Sequence, residues 1–175
     1  MNNRKLLLAV SLLAFAGAAI AQQPQQQPAR TAAPAARPAQ PTQQAPALTP
    51  QQRAALAKQD TDMTQAAGQV VKMVDTNRIA EVWDGASPTM KRLVTKDEFI
   101  KQVTIDRNKL GVAGARGQAV VSRSQFAAGG QVPAGLYINV NFPTKFAKAP
   151  QPVRELVSFR LDEDKTWRVS GYSLR

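Results

Sequence analysis

Apolar positions recur at helical spacing through the first half of residues 49–175. Their spacing of seven and four residues is typical of one face of an amphipathic helix. The members of this stripe are Leu56, Met63, Val70 and Val74. Thr49–Pro50 is a helix start, because Thr caps free amide groups and Pro fits the first turn. We predict a helix from this pair to a break at 75–77, with an interruption expected at the polar run 60–62.

Three further patterns predict shorter helices. An apolar face at 79–83 indicates a short helix that ends at Asp84-Gly85. Ser87–Pro88 starts another turn or helix that runs through residue 93. Thr95 and Glu98 form a capping box, which predicts a last helix that Gly111 closes.

After residue 111 the apolar period changes from helical to two, the period of a half-buried strand. Strands are predicted at 118–126, 136–142, 153–161 and 167–174, with Pro143 outside them and an acidic turn at 162–166. The expected fold class is α+β, with N-terminal helices packed on one face of a four-stranded antiparallel meander. A cone-like sheet is one form that such a domain takes.

The first 21 residues have the pattern of a secretory signal peptide. A basic start at Arg4-Lys5 precedes an apolar run, and Ala19-Ile20-Ala21 supplies the small-x-small end. The run is too short and too rich in Ala and Gly for a stable membrane span. We expect cleavage before Gln22, localisation in the periplasm or outside the cell, and no transmembrane segment in the mature chain.

Residues 22–48 consist mostly of Gln, Ala and Pro and contain no acidic or aromatic residue. Such a segment cannot bury enough apolar surface to offset its ordering entropy. It is expected to be a disordered tether, with or without a binding partner of its own. Residues 49–175 are then expected to form one α+β domain.

Composition restricts the chemistry that this chain can perform. Neither Cys nor His occurs, which excludes zinc, copper and iron sites built on these residues and every nucleophile pair that uses His. No metal and no cofactor is therefore expected. The 23 Lys and Arg exceed the 12 Asp and Glu, for a formal charge of +11. Outside the cytoplasm such charge favours anionic envelope components or another exported protein as partner, and no nucleic acid.

Four residues are candidates for a ligand-binding site: Glu155, Arg107, Arg116 and Tyr172. Glu155 shares the parity of Val153 and Val157, so it points to the apolar face, where an isolated carboxylate is costly unless paired. The two arginines flank the junction between the last helix and the first strand. They are candidates for an anion clamp, or else for an internal salt bridge or a charge at the helix C-terminus. We predict that Glu155 is at least half buried and lies within salt-bridge distance of Arg107 or Arg116.

Several pieces of the second half, taken in their order, resemble one protein family. The pieces are Arg107-Asn-Lys-Leu-Gly111, Arg116, Pro133-Ala-Gly-Leu-Tyr137, Glu155 and Trp167-Arg-Val-Ser-Gly-Tyr-Ser-Leu-Arg175. The resemblance is to exported bacterial proteins that carry domain of unknown function 4019, and it covers roughly residues 66–175. It implies export and a compact helix-plus-sheet domain, and it implies no activity.

Two functional hypotheses follow. The first is an exported, non-catalytic accessory or binding domain on a flexible tether. The second is a small α+β enzyme that uses Glu155 as its acid or base, which requires an open cavity at that side chain. If an arginine instead seals Glu155, the enzyme hypothesis loses its support.

Overall fold

The computed structural model describes residues 47–175, which belong to a compact unit of Ala45–Arg175. The predicted signal peptide and all but the last two residues of the predicted tether lie outside the described residues. Four helices come first: α1 (Pro50–Asp75), α2 (Ile79–Asp84), α3 (Pro88–Leu93) and α4 (Lys96–Leu110). Five strands follow: β1 (Ala113–Arg116), β2 (Val120–Phe126), β3 (Gly135–Phe146), β4 (Val153–Leu161) and β5 (Trp167–Leu174). The predicted α+β class, with helices before an antiparallel sheet, is confirmed.

The helix boundaries follow from caps that the sequence carries. Thr49 and Thr95 both form complete capping boxes, with Gln52 and Glu98 as the reciprocal partners. The predicted interruption at 60–62 is wrong, because α1 is continuous through it. These polar residues lie on the solvent side, where the Thr61 hydroxyl donates to the Ala57 carbonyl and Asp62 accepts from Lys58. In the described residues, no helix is both long and apolar enough to span a bilayer.

The strands β2, β3, β4 and β5 form the predicted antiparallel meander, and β1 is a fifth strand beside the far half of β3. The prediction missed β1 because its sequence, Ala-Gly-Ala-Arg, contains no β-branched or aromatic residue. The sheet is open, with β1 and β2 both paired to one side of β3.

Strand β3 is longer than predicted, since it continues through Pro143 to Phe146. The prediction that Pro143 lies outside the strands is wrong. Arg154, which lies opposite Pro143, directs its amide and carbonyl to Arg175, the residue after β5. Pro143 therefore faces the gap between β1 and β2, where its carbonyl accepts from the Gly117 amide and no partner needs its missing N–H.

The core lies between the helices and the inward face of the sheet. Ala67, Ile138, Val140 and Val157 have no exposed surface, and Val71, Val82 and Val103 from three helices pack against them. The buried positions of α1 begin only at Met63, so the first three turns of this helix extend beyond the tightly packed core.

Candidate functional site

Glu155 lies on the inward face of β4 and has no exposed surface. Three short hydrogen bonds hold its carboxylate: Arg116 Nε and the Thr144 hydroxyl donate to Oε2, each at 2.7 Å, and the Tyr172 hydroxyl donates to Oε1 at 2.7 Å. Arg107 Nη1 adds a longer contact of 3.4 Å to Oε1. The prediction that Glu155 is buried and paired with Arg107 or Arg116 is confirmed, and both arginines take part.

Asp75 is a fourth charged member of this group, and sequence reasoning missed it. Its carboxylate accepts from Arg107 Nη2 at 2.7 Å and lies 2.8 Å from Arg116 Nη1. Asp75, Arg107, Arg116 and Glu155 thus form a charge cluster of two acids and two bases. Its exposure rises from 0% at Glu155 through 13% and 21% at Arg107 and Arg116 to 29% at Asp75. Asp75 and the arginines therefore separate Glu155 from solvent.

Chain ends and turns bring the members of the charge cluster together. Asp75 is the last residue of α1, and Arg107 lies in the last turn of α4. Gly111 ends α4 with a φ of 79°, a left-handed conformation that favours glycine, and β1 then delivers Arg116 within five residues. The Arg107 guanidinium also stacks over the Phe146 ring, 5.0 Å from its centre.

The charge cluster controls the protonation of the groups around Glu155. Burial, together with the adjacent negative charge of Glu155, raises the pKa of Tyr172 far above its ordinary value, so its hydroxyl remains a donor. Burial alone would lower the pKa of Arg116, but the hydrogen bonds that it donates to Glu155 and Asp75 outweigh burial and keep the pKa raised. Both groups therefore hold their protons and serve as fixed donors to Glu155.

The four predicted ligand-binding residues lie together, but Glu155 has no exposed surface from which it could contact a ligand. An open pocket of about 530 Å³ lies on the solvent side of the charge cluster, and it reaches Asp75 and Arg107 without exposing Glu155. The geometry therefore supports an internal ion pair. A role of these four residues in ligand binding stays a prediction.

A second opening, which we call the apolar cleft, lies between the first turns of α1 and one end of the sheet. Its volume is about 510 Å³, within the usual range for ligand sites. Apolar side chains form most of its lining: Leu56, Leu136, Ile138, Leu161 and Trp167. Gln59, Arg123 and Gln125 supply polar groups at the same opening. The cleft exists because α1 starts to pack tightly only at Met63.

Arg123 is held at the apolar cleft by side chains of α1. Its Nη2 donates to Asp60 Oδ1 at 2.7 Å and to Gln59 Oε1 at 2.9 Å. Leu136 on the other side is 44% exposed, a large fraction for a leucine on a sheet. The sequence marks Leu136 as the first residue of the apolar stripe of its strand. It does not show that the start of α1 lies over Leu136, which only the fold reveals.

Asp162 is a second buried acid that the sequence did not single out. The predicted turn at 162–166 is present, since the Lys165 amide donates to the Asp162 carbonyl. Its carboxylate is 4% exposed and accepts from Ser87 at 2.6 Å, Arg160 at 3.0 Å and Arg168 at 3.1 Å. Ser87 caps α3, so this contact ties the helix to the hairpin. Burial would raise the pKa of Asp162, but these hydrogen bonds hold it below its ordinary value.

Within residues 47–175, no group of three or more Asp and Glu side chains is arranged to hold a metal ion. The buried carboxylates of Glu155 and Asp162 are each surrounded by arginines and hydroxyls instead.

No curated protein and no solved structure matches the chain. A family model described as protein of unknown function (DUF4019) matches residues 66–172, which include α1 from its seventeenth residue and nearly all of the sheet. The match covers more than half of the chain, and the chain belongs to this family of proteins of unknown function.

Proposed function

We propose that this protein is an exported, non-catalytic binding domain, and that the apolar cleft takes an apolar portion of its ligand. The observation that carries the proposal is the cleft itself: about 510 Å³ of open space above the apolar side chains of Leu136, Leu161 and Trp167. Burial of this surface by a ligand would be favourable, because each apolar side chain removed from water contributes roughly 1.5–3 kcal/mol when fully buried.

The arrangement of polar groups also supports binding. Ligand sites combine an apolar lining with a few fixed polar side chains, which orient the ligand. Arg123 is fixed by Gln59 and Asp60, and Gln125 lies on the same strand. An envelope component with an apolar chain and a polar group fits this combination.

The alternative, an acid-base enzyme that uses Glu155, has no support in the geometry. A general acid or base must reach the proton that it transfers. Glu155 has no exposed surface, and donors from Arg116, Thr144 and Tyr172 occupy its oxygens.

Export rests on the pattern of Met1–Ala21, with its basic start, apolar run and small-x-small end. The test is an intact-mass measurement on protein recovered from the envelope fraction of a bacterial host. A mass that begins at Gln22 is the expected result. Retention of residues 1–21 would contradict export.

Binding in the apolar cleft can be followed through Trp167. The variant Trp83→Phe removes the other tryptophan, so fluorescence then reports on the cleft alone. Titration with laurate, a molecule with an apolar chain and one carboxylate, should give a saturable change in the fluorescence of Trp167. Leu136→Gln should weaken laurate binding by about tenfold, since part of the contact of one leucine is lost.

Val120→Gln is the matched control, because Val120 is also an exposed strand residue, at 58%, and does not line the cleft. The control should bind laurate like the parent protein. A titration without saturation, or equal weakening by both variants, would refute the cleft as the binding site.

A further inference from the structure

Two adjacent strands and the residue that follows a third each place one cation on the outer face of the sheet, at the same end. Pro143 lies opposite Arg154, so Lys145, two residues further along β3, shares the face of Arg154. Arg154 and Arg175 exchange both main-chain hydrogen bonds, at 2.7 and 2.9 Å, so they lie directly opposite each other. Lys145, Arg154 and Arg175 therefore lie on one face at the same end of the sheet, on β3, on β4 and directly after β5.

Two more cations extend this patch around the end of the sheet. Lys148 lies in the loop after β3 and donates to the Asn108 carbonyl, and Lys109 lies in the last turn of α4. We call the five residues Lys109, Lys145, Lys148, Arg154 and Arg175 the basic end. All five side chains are exposed.

The cations of the basic end form almost no ion pairs with acidic side chains of residues 47–175. Among the ion pairs within residues 47–175, only a 3.7 Å contact between Lys109 and Asp106 involves one of its members. Like charges directly opposite each other on neighbouring strands are destabilising. An anionic partner would relieve the repulsion between Arg154 and Arg175, so the charge arrangement is complementary to a polyanionic surface.

An exposed apolar residue lies next to these cations. Val112 is 79% exposed, the highest value among the large apolar side chains of residues 47–175. Its carbonyl accepts from the Ala147 amide at 3.0 Å, so its backbone lies beside the residue that precedes Lys148. In the chain, Val112 follows Lys109 by three residues. Cations around a protruding apolar side chain are suited to a lipid bilayer, where headgroups meet the cations and the acyl region meets the apolar group.

We propose that the basic end docks the protein on a bilayer that carries acidic phospholipids. Among the large apolar side chains that residues 47–175 expose, the aromatic one is Phe126, which pairs with Gly135 at the other end of β3. Aromatic stacking is what single-stranded nucleic acid sites use. The basic end and the apolar cleft lie at opposite ends of β3, so both surfaces remain accessible together. This proposal is therefore independent of the ligand of the cleft.

The test is co-sedimentation of the chain from Gln22 with vesicles of phosphatidylcholine, with and without phosphatidylglycerol. Residues 1–21 are left out because their apolar run would itself partition into vesicles. We expect binding only to the acidic vesicles, and loss of binding at high salt, since salt screens charges that are exposed. The triple variant Lys145→Gln, Arg154→Gln, Arg175→Gln should bind on the order of a hundredfold more weakly, from about fivefold for each charge.

The matched control carries Arg53→Gln, Lys72→Gln and Lys101→Gln, which lower the net charge equally on exposed helix positions. Its binding to the acidic vesicles should weaken only a few-fold, because these three charges are spread over the helices. Val112→Ser should also weaken binding to the acidic vesicles, and the factor by which it does so should be the same at low and at high salt. Laurate binding in the cleft, followed at Trp167, should be the same in all of these variants.

Several results would overturn the proposal. They are equal binding to vesicles without phosphatidylglycerol, unchanged binding of the triple variant, or an equal loss in the control. Tighter binding to soluble polyphosphate than to acidic vesicles, with no effect of Val112→Ser, would show that the partner is a soluble polyanion instead.

Discussion

Replacement of Glu155 by alanine is the sharpest perturbation of the charge cluster. The substitution removes the carboxylate that accepts from Arg116, Thr144 and Tyr172, all at 2.7 Å. It leaves Arg116 and Arg107 beside an apolar core with only Asp75 as an anionic partner. The expected result is a large loss of folding stability.

The magnitude follows from burial. Removal of one partner from a buried ion pair costs about 3–5 kcal/mol, because the other charge remains buried and uncompensated. Arg107 and Arg116 are 13% and 21% exposed, and Asp75 still pairs with both. These features favour the lower end, about 3 kcal/mol. Glu155→Gln should cost less, since it retains the volume and its one amide oxygen can still accept from either the Thr144 or the Tyr172 hydroxyl.

Urea unfolding followed by circular dichroism measures this loss. With a slope of about 2 kcal/mol/M, typical of a small domain, the midpoint should fall by about 1.5 M at constant slope. Asp62→Asn is the control: the Lys58–Asp62 pair has a similar length, 2.7 Å, but its side chains are 76% and 54% exposed. Its loss should remain within about 0.5 kcal/mol.

Glu155→Leu combined with Arg116→Met tests the physical reason. Since the double variant leaves no unpaired Arg116, it should be more stable than the sum of the two single losses predicts. A loss below about 1 kcal/mol for Glu155→Ala would refute the conclusion that burial makes this ion pair important. Full additivity in the double variant would refute the direct coupling of Glu155 with Arg116.

Three further predictions concern the rest of the chain. Folding lowers the pKa of Asp162, so its ionised carboxylate stabilises the folded state at neutral pH, and this stabilisation is lost as the pH falls below its ordinary pKa. Asp162→Asn should therefore flatten the acid side of a curve of unfolding free energy against pH. An unchanged curve would contradict this prediction. Gly135→Ala should cost about 1–3 kcal/mol in urea unfolding, because φ is 149° and a Cβ would lie 3.0 Å from Arg160 Nε. An unchanged midpoint would show that the start of β3 relaxes without cost. Deletion of residues 22–48 should change stability by no more than about 0.5 kcal/mol, and a large fall in melting temperature would show that this segment packs on the domain.

Local chemistry in the sequence determined the helices and most of the sheet. Thr49 and Thr95 satisfy amide groups within their own first turns, so these helix starts were predictable from four neighbouring residues. Strand parity likewise placed Glu155 on the inward face, and the absence of His left only a cationic partner for it. The predicted contact with an arginine followed from these two facts.

Only the tertiary structure decided which distant groups meet. Asp75 joins Arg107 and Arg116 across 32 and 41 positions, and no local signal marks it as their partner. Strand β1 exists because β3 offers it an unpaired edge, against its own low propensity. The apolar cleft and the basic end arise in the same way, from the overhang of a helix and from strand register. Helix caps and strand parity depend on neighbours in the chain, whereas the sites depend on packing between distant elements. For this reason the sequence predicted the helices and strands better than the surfaces that they form together.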